Sequence, residues 1–155
     1  MTVETLLEYG LRRMDDKTID NFLRHQGVGV LGFSTNGLPY LLPMAFGYDG
    51  DDRLYFSFFV DEPSRKAELA ERTDRAAFLV YTADSMFAWE SVRLEGSIRR
   101  LPENWDANPE ALSNAWRLDV FERAESAGEL RLYEFQVDDR EGYTYAEVPP
   151  GFEPA

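Results

Sequence analysis

At 155 residues with 44% apolar side chains, the chain is long enough for one domain with a single core, over 1–155, and too apolar for disorder. Its formal net charge of -13, from 29 acids against 16 bases, sets up a repulsive field that argues against nucleic acid and anionic membranes as partners. The absence of cysteine excludes disulfides, zinc ribbons and thiol catalysis. In chain order, Val3, Leu6, Leu7 and Leu11 fall at helical spacing and predict a helix over 3–13. Ile19, Phe22 and Leu23 predict a second over 18–25, with Asp16 or Thr18 as its cap. After Gly27 the period changes, and 28–60 reads as three strands turned at Asn36-Gly37 and at Asp49-Gly50. Pro39 and Pro43 cannot donate ladder hydrogen bonds, which puts the middle strand at an edge or makes it irregular.

A helix is expected over 64–72, then a buried strand over 76–83 and a long strand over 86–100 with a bulge or bend at Gly96. Leu112, Ala115, Trp116 and Val120 predict a helix over 108–125. The alternation of "LRLYEFQV" and then "YTYAEV" predicts two closing strands. The fold class is therefore mainly β (α+β), with antiparallel strands and inserted helices, arranged as a small barrel or a sandwich.

No apolar run approaches the roughly 20 residues that span a bilayer, and the first residues carry acids rather than a signal core. A cytoplasmic protein is expected. Among the basic residues only Lys17 and Lys66 are lysine, and the acids are spread along the chain. That pattern favours a halophilic adaptation, because the screening length falls to about 3 Å at 1 M salt and self-repulsion becomes tolerable.

The chemistry-bearing stretch is Asp61-Glu62-Pro63-Ser64-Arg65-Lys66-Ala67-Glu68-Leu69. Pro63 suits a first helical turn, and Asp61 or Ser64 can cap it. Such a turn presents free N–H groups and the positive end of the helix dipole, where Arg65 and Lys66 are misplaced unless an anion offsets them. A phosphate would accept a forked contact from Arg65 and a point charge from Lys66. The alternative is pairing of both cations with neighbouring glutamates on a solvated face. His25, the single histidine, suits a cap or a surface, and with no cysteine a transition-metal site is not expected. Asp49, Asp51 and Asp52 suit a solvated turn.

The order of these pieces resembles the pyridoxamine 5'-phosphate oxidase-like family of flavin-binding split barrels. A proline-interrupted strand, "YLLPMAFGYDG", precedes an aromatic strand, "RLYFSFFV". Ser-Arg-Lys then opens a helix, and "WESVRLEGSIRRL" follows. The likeness covers about 20–101 well and the last fifty residues loosely. It implies a six- to seven-stranded antiparallel split β-barrel with flanking helices, forming a homodimer with FMN at the subunit interface. It assigns the FMN phosphate to Ser64, Arg65 and Lys66, the ring edge to the backbone of Pro43, Met44, Ala45 and Phe46, and further contacts to Phe56 and Ser57. It assigns Ser91 a contact across the dimer interface.

The implied function is an FMN-dependent oxidoreductase moving hydride or electrons between a reduced donor and a small-molecule substrate, with Trp116 or Tyr133 as a pocket wall. A non-catalytic flavin- or haem-binding protein and a deazaflavin-dependent reductase are the alternatives on this fold. The stretch Leu41-Leu42-Pro43 lacks the family's second phosphate arginine, and no basic substrate-binding segment stands near the C-terminus. The likeness is thus to the broad flavin branch rather than to the oxidase proper.

Overall fold

A computed structural model describes residues 2–8, 10–60, 65–102, 105 and 129–146. The expected helix over 108–125 lies outside them. In chain order the elements are α1 (Val3–Glu8), β1 (Leu11–Arg13), α2 (Asp16–Arg24), β2 (Val28–Phe33), β3 (Tyr40–Ala45), β4 (Gly47–Tyr48) and β5 (Arg53–Val60). They continue with α3 (Arg65–Arg72), β6 (Arg75–Ser85), β7 (Ala88–Arg100) and β8 (Glu129–Tyr145).

The strands form one antiparallel sheet in the order β3-β2-β6-β7-β8-β5-β4, with β1 added alongside β8. The two ends of that order, β3 and β4, are separated in sequence by Phe46 alone. At this break the Phe46 N–H donates to Gly27 O at 3.0 Å. The chain therefore passes from one sheet edge to the other within a single residue, and this curls the sheet into the split barrel. The interior is aromatic: Phe78 meets Phe46 edge-on at 5.3 Å between ring centroids and Phe56 at 5.0 Å, while Phe58 lies 4.5 Å from Tyr133.

The two longer helices close the two ends of this core. Helix α2 buries Ile19, Phe22 and Leu23, a 3.6-residue stripe. Its approach depends on Gly142, where a Cβ would lie 2.8 Å from Met14 Sδ and 2.9 Å from Ile19 Cγ1. Helix α3 buries Ala67, Leu69 and Ala70 at the opposite end. No helix among the described residues is long and apolar enough to cross a membrane.

Several expectations are corrected. The first helix stops at Glu8 rather than Arg13: Gly10 adopts φ 110°, and Leu11–Arg13 instead pair with Tyr143–Tyr145 of β8. Helix α2 is capped by Asp15, whose side chain accepts from the Thr18 N–H at 2.8 Å, rather than by Asp16 or Thr18. Asn36-Gly37 does not make a two-residue turn. The link spans 34–39, where Thr35 Oγ donates to Leu38 O and accepts from the Gly37 N–H at 3.1 Å.

The two closing strands are one continuous β8, because the polar stretch between them still pairs with β7. The expected irregularity at Gly96 is present: Glu95 pairs Asp139 while Gly96 pairs Val137. A Cβ at Gly96 would sit 2.0 Å from Gln136 O, so only glycine fits this crossing.

Candidate functional site

The site grows from α3. Its apolar residues fix it against the barrel end, and Glu71 ties it down by accepting from Arg131 Nη1 at 2.9 Å. Arg100 stands 3.8 Å from the same carboxylate. The Tyr133 hydroxyl beneath is pushed above its ordinary pKa by burial first and by Glu71 second. Tyr133 is thus fully enclosed core rather than a pocket wall, and Trp116 lies outside the described residues.

Between α3 and the β2–β3 link lies a cavity of about 590 Å³, walled by Ser34, Thr35, Asn36, Arg65, Leu69 and Arg72 among others. Arg65, the first residue of α3, is exposed and makes no ion pair or hydrogen bond among the described residues. Every other arginine with a described side chain makes one or the other. In a protein with 29 acids, a guanidinium without a partner among the described residues, beside a cavity at a helix N-terminus, has the chemistry that suits an external anion. Ser64 and the Lys66 side chain lie outside what is described.

From this end β3 runs to the opposite end of the barrel, about 17 Å from Tyr40 to Ala45 at strand rise. Among the described residues it pairs only with β2, so its other edge keeps backbone groups free of them. Pro43 costs such an edge nothing. The side chains alternate: Leu41, Pro43 and Ala45 are exposed, whereas Met44 and Phe46 point into the core. Leu41 is 67% exposed, and on the neighbouring strands β2 and β6 Val28 is 59% exposed and Tyr81 56%.

The remaining expected residues lie on β5 and β7. Phe56 is fully buried against Phe78 and Phe135, so only its backbone could meet a ligand. Ser57 points to the other face of β5, opposite Leu132 and beside Tyr55, which packs with Leu101 and Trp105. Ser91 pairs with Tyr81 and Tyr143 on β7, three strands and about 14 Å from β3. Within one chain Ser91 therefore does not share a site with Pro43–Phe46.

His25 ends α2, with Nδ1 2.7 Å from Asn21 O, as its position suggested. Asp49 accepts from the backbone N–H of Asp51 and Arg53, a turn role, and no acidic or histidine cluster among the described residues could hold a metal. Sequence reasoning missed Arg72 and the link over 34–38 as cavity walls. The readable signal was the seven-residue spacing of Arg65 and Arg72, which places both on one helix face.

A family model described as pyridoxamine 5'-phosphate oxidase matches residues 15–144. No match is found among curated proteins. Among solved structures, an FAD-binding protein from Mesorhizobium loti has 19% identity and TM-score 0.69, covering 88% of this chain and 98% of that one. An FAD-binding protein from Mycobacterium smegmatis has 13% identity and TM-score 0.62, with 86% and 98% covered. An FAD- and haem-binding protein from the same organism has 17% identity and TM-score 0.63, with 94% and 77% covered. At these identities the structural likeness is one of fold.

Proposed function

The chain belongs to the pyridoxamine 5'-phosphate oxidase family, and from that premise we propose that it is a flavin-dependent oxidoreductase acting on a small molecule. The cofactor unit it binds is FMN, which stands alone or forms the inner half of a flavin dinucleotide. The observation that carries this reading is Arg65 at the start of α3, without a partner among the described residues, beside a cavity and near a strand edge that no described strand pairs with.

In this reading Ser64, Arg65 and Lys66 hold the phosphate, and the free edge of β3 from Pro43 to Phe46 aligns the ring. Two chains pair through the apolar face that includes Val28, Leu41 and Tyr81. Pairing would exclude water from the ring and bring the partner copy's Ser91 to it. When bound, the flavin supplies the hydride and electron transfer. The side chains then bind, orient and shield.

The test is spectroscopic. The purified protein, loaded with FMN, is mixed with NADH or NADPH without oxygen and then opened to air. The expected result is bleaching of the flavin absorbance and recovery at a catalytic rate. A flavin that binds but stays oxidised with every nicotinamide donor supports the second reading, a flavin or haem carrier. The FAD- and haem-binding relative of the same fold makes that reading concrete. A protein that ignores FMN yet binds a deazaflavin points to the third.

A further inference from the structure

Asn36 has no turn role to fill. The link over 34–39 is held by the Thr35 hydroxyl, and the Asn36 side chain makes no hydrogen bond among the described residues. Asn36 and Gly37 are both exposed, and a Cβ on Gly37 would meet nothing within 4 Å. A side-chain amide is a thermolabile group. It is most vulnerable before glycine, because no side chain there hinders the approach of the next backbone nitrogen to the amide carbon.

Elsewhere the fold obstructs this chemistry. Asn21 lies inside α2, where helical dihedrals fix the next nitrogen and the next residue is the buried Phe22. Asp49-Gly50 is the carboxyl counterpart, but Asp49 Oδ1 accepts from the N–H of Asp51 at 2.9 Å and of Arg53 at 3.1 Å. Gly50, at φ 86°, also packs against the Arg24 guanidinium. At Asn36 one restraint stands: the Gly37 N–H donates to Thr35 Oγ at 3.1 Å, and that hydroxyl donates to Leu38 O. The bond occupies the proton that must leave before the nitrogen can attack. It is exposed, so water replaces it at small net cost.

We propose that Asn36 is a self-deamidation site, slowed by Thr35, whose product carboxylate competes for Arg65. The Gly37 nitrogen gives its proton to solvent hydroxide and bonds to the Asn36 side-chain carbonyl carbon. The amide carbon–nitrogen bond then breaks, and ammonia leaves. Water opens the resulting cyclic imide at either carbonyl, which yields aspartate or isoaspartate. A water is consumed, an ammonia is released, and nothing is oxidised or reduced.

The product adds a negative charge to a wall of the cavity that Arg65 and Arg72 also line. Arg72 already pairs with Glu68 at 3.2 Å, whereas Arg65 has no partner among the described residues. The new carboxylate therefore draws on Arg65, and an anion from outside has to displace it. This consequence rests on the flavin reading; the deamidation does not.

The experiment ages the purified full chain at mildly alkaline pH and follows its peptides by mass spectrometry with isoaspartate detection. Asn36 is expected to convert while Asn21 stays an amide. Thr35→Val should convert about fivefold faster, the weight of one ordinary hydrogen bond. Gly37→Ala should convert more slowly; the open space at Gly37 admits the methyl group. Asn36→Asp, which mimics the product, should bind FMN about fivefold more weakly than the unaltered chain, and most of that loss should vanish in molar salt.

An Asn36 that stays an amide in the folded chain while the free peptide of the same sequence converts overturns the proposal. A Thr35→Val rate equal to the unaltered one removes the restraint, and an Asn36→Asp affinity equal to the unaltered one overturns the competition for Arg65. Failure of the unaltered chain to bind FMN overturns the flavin reading and the competition with it, while the mass spectrum still decides the deamidation.

Discussion

Arg65 and Lys66 occupy the end of a helix where cations are unfavourable by roughly 0.3–1 kcal/mol each when exposed. The structure sharpens that tension for Arg65. Nearby Arg72, Arg100 and Arg131 all reach glutamates of α3, and Arg65 does not. Under the proposed function, Lys66→Ala weakens flavin binding by roughly 1.5–3 kcal/mol, the range for a hydrogen bond to a charged group. A fluorescence titration that finds the affinity unchanged places the phosphate elsewhere.

Tyrosines supply a second prediction at the residue scale. Burial raises the Tyr48 hydroxyl pKa, and the Asp20 carboxylate that accepts its hydrogen bond at 2.7 Å raises it further. Tyr133 is raised as well, again by burial first. A raised folded value means that the contribution to stability is fully present below the unfolded value, about pH 10. It is lost as pH rises from there through the folded values. The melting temperature should therefore hold steady up to about pH 10 and fall beyond it, less steeply in Tyr48→Phe. A fall of equal steepness in that variant removes Tyr48 from the account.

Elements were legible where one local pattern decided them. The stripe Ile19, Phe22 and Leu23 predicted α2, the glycine at 96 predicted the bulge, and Pro43 predicted an edge strand. Elements were missed where a distant partner decided. Leu11 continues the apolar spacing of the first helix, but β8 offers it a strand partner and Gly10 provides the turn. The run Asp138–Gly142 looked like a loop because its polarity breaks the alternation, yet β7 holds all but Asp138 in register and the bulge absorbs the extra residue.

The site divides along the same line. That Arg65 opens a helix and that β3 ends the strand order were readable from cap and proline chemistry. The inward burial of Phe56 and the separation of Ser91 from β3 follow from strand order, which one sequence does not contain.

The exposed face that includes Leu41 and Tyr81 yields a prediction at this scale. Tyr81→Glu puts a charge on an exposed side chain and should leave the fold intact. Under the homodimer proposal it separates the chains and lowers flavin affinity with them. Sedimentation of the variant as a dimer with full flavin content would remove this face from the interface.

At the scale of the molecule, a dianionic phosphate must approach a chain of net charge -13. At low salt that field acts over a long range and opposes association, whereas at 1 M salt the Debye length is about 3 Å and only groups such as Arg65 act on the ligand at contact. Flavin association is therefore expected to accelerate with added salt, contrary to the usual trend for an anion meeting a basic site. A stopped-flow series in which the rate falls as salt is added contradicts this, and with it the proposal that the acidity is a halophilic adaptation.

One measurement tests the central claim most directly: a crystal structure of the flavin-loaded chain. The account predicts the ring-proximal phosphate within hydrogen-bond distance of the Arg65 guanidinium, at the first turn of α3, with the ring lying along the free edge of β3. A flavin whose phosphate binds away from Arg65, with solvent alone at that helix end, would contradict it.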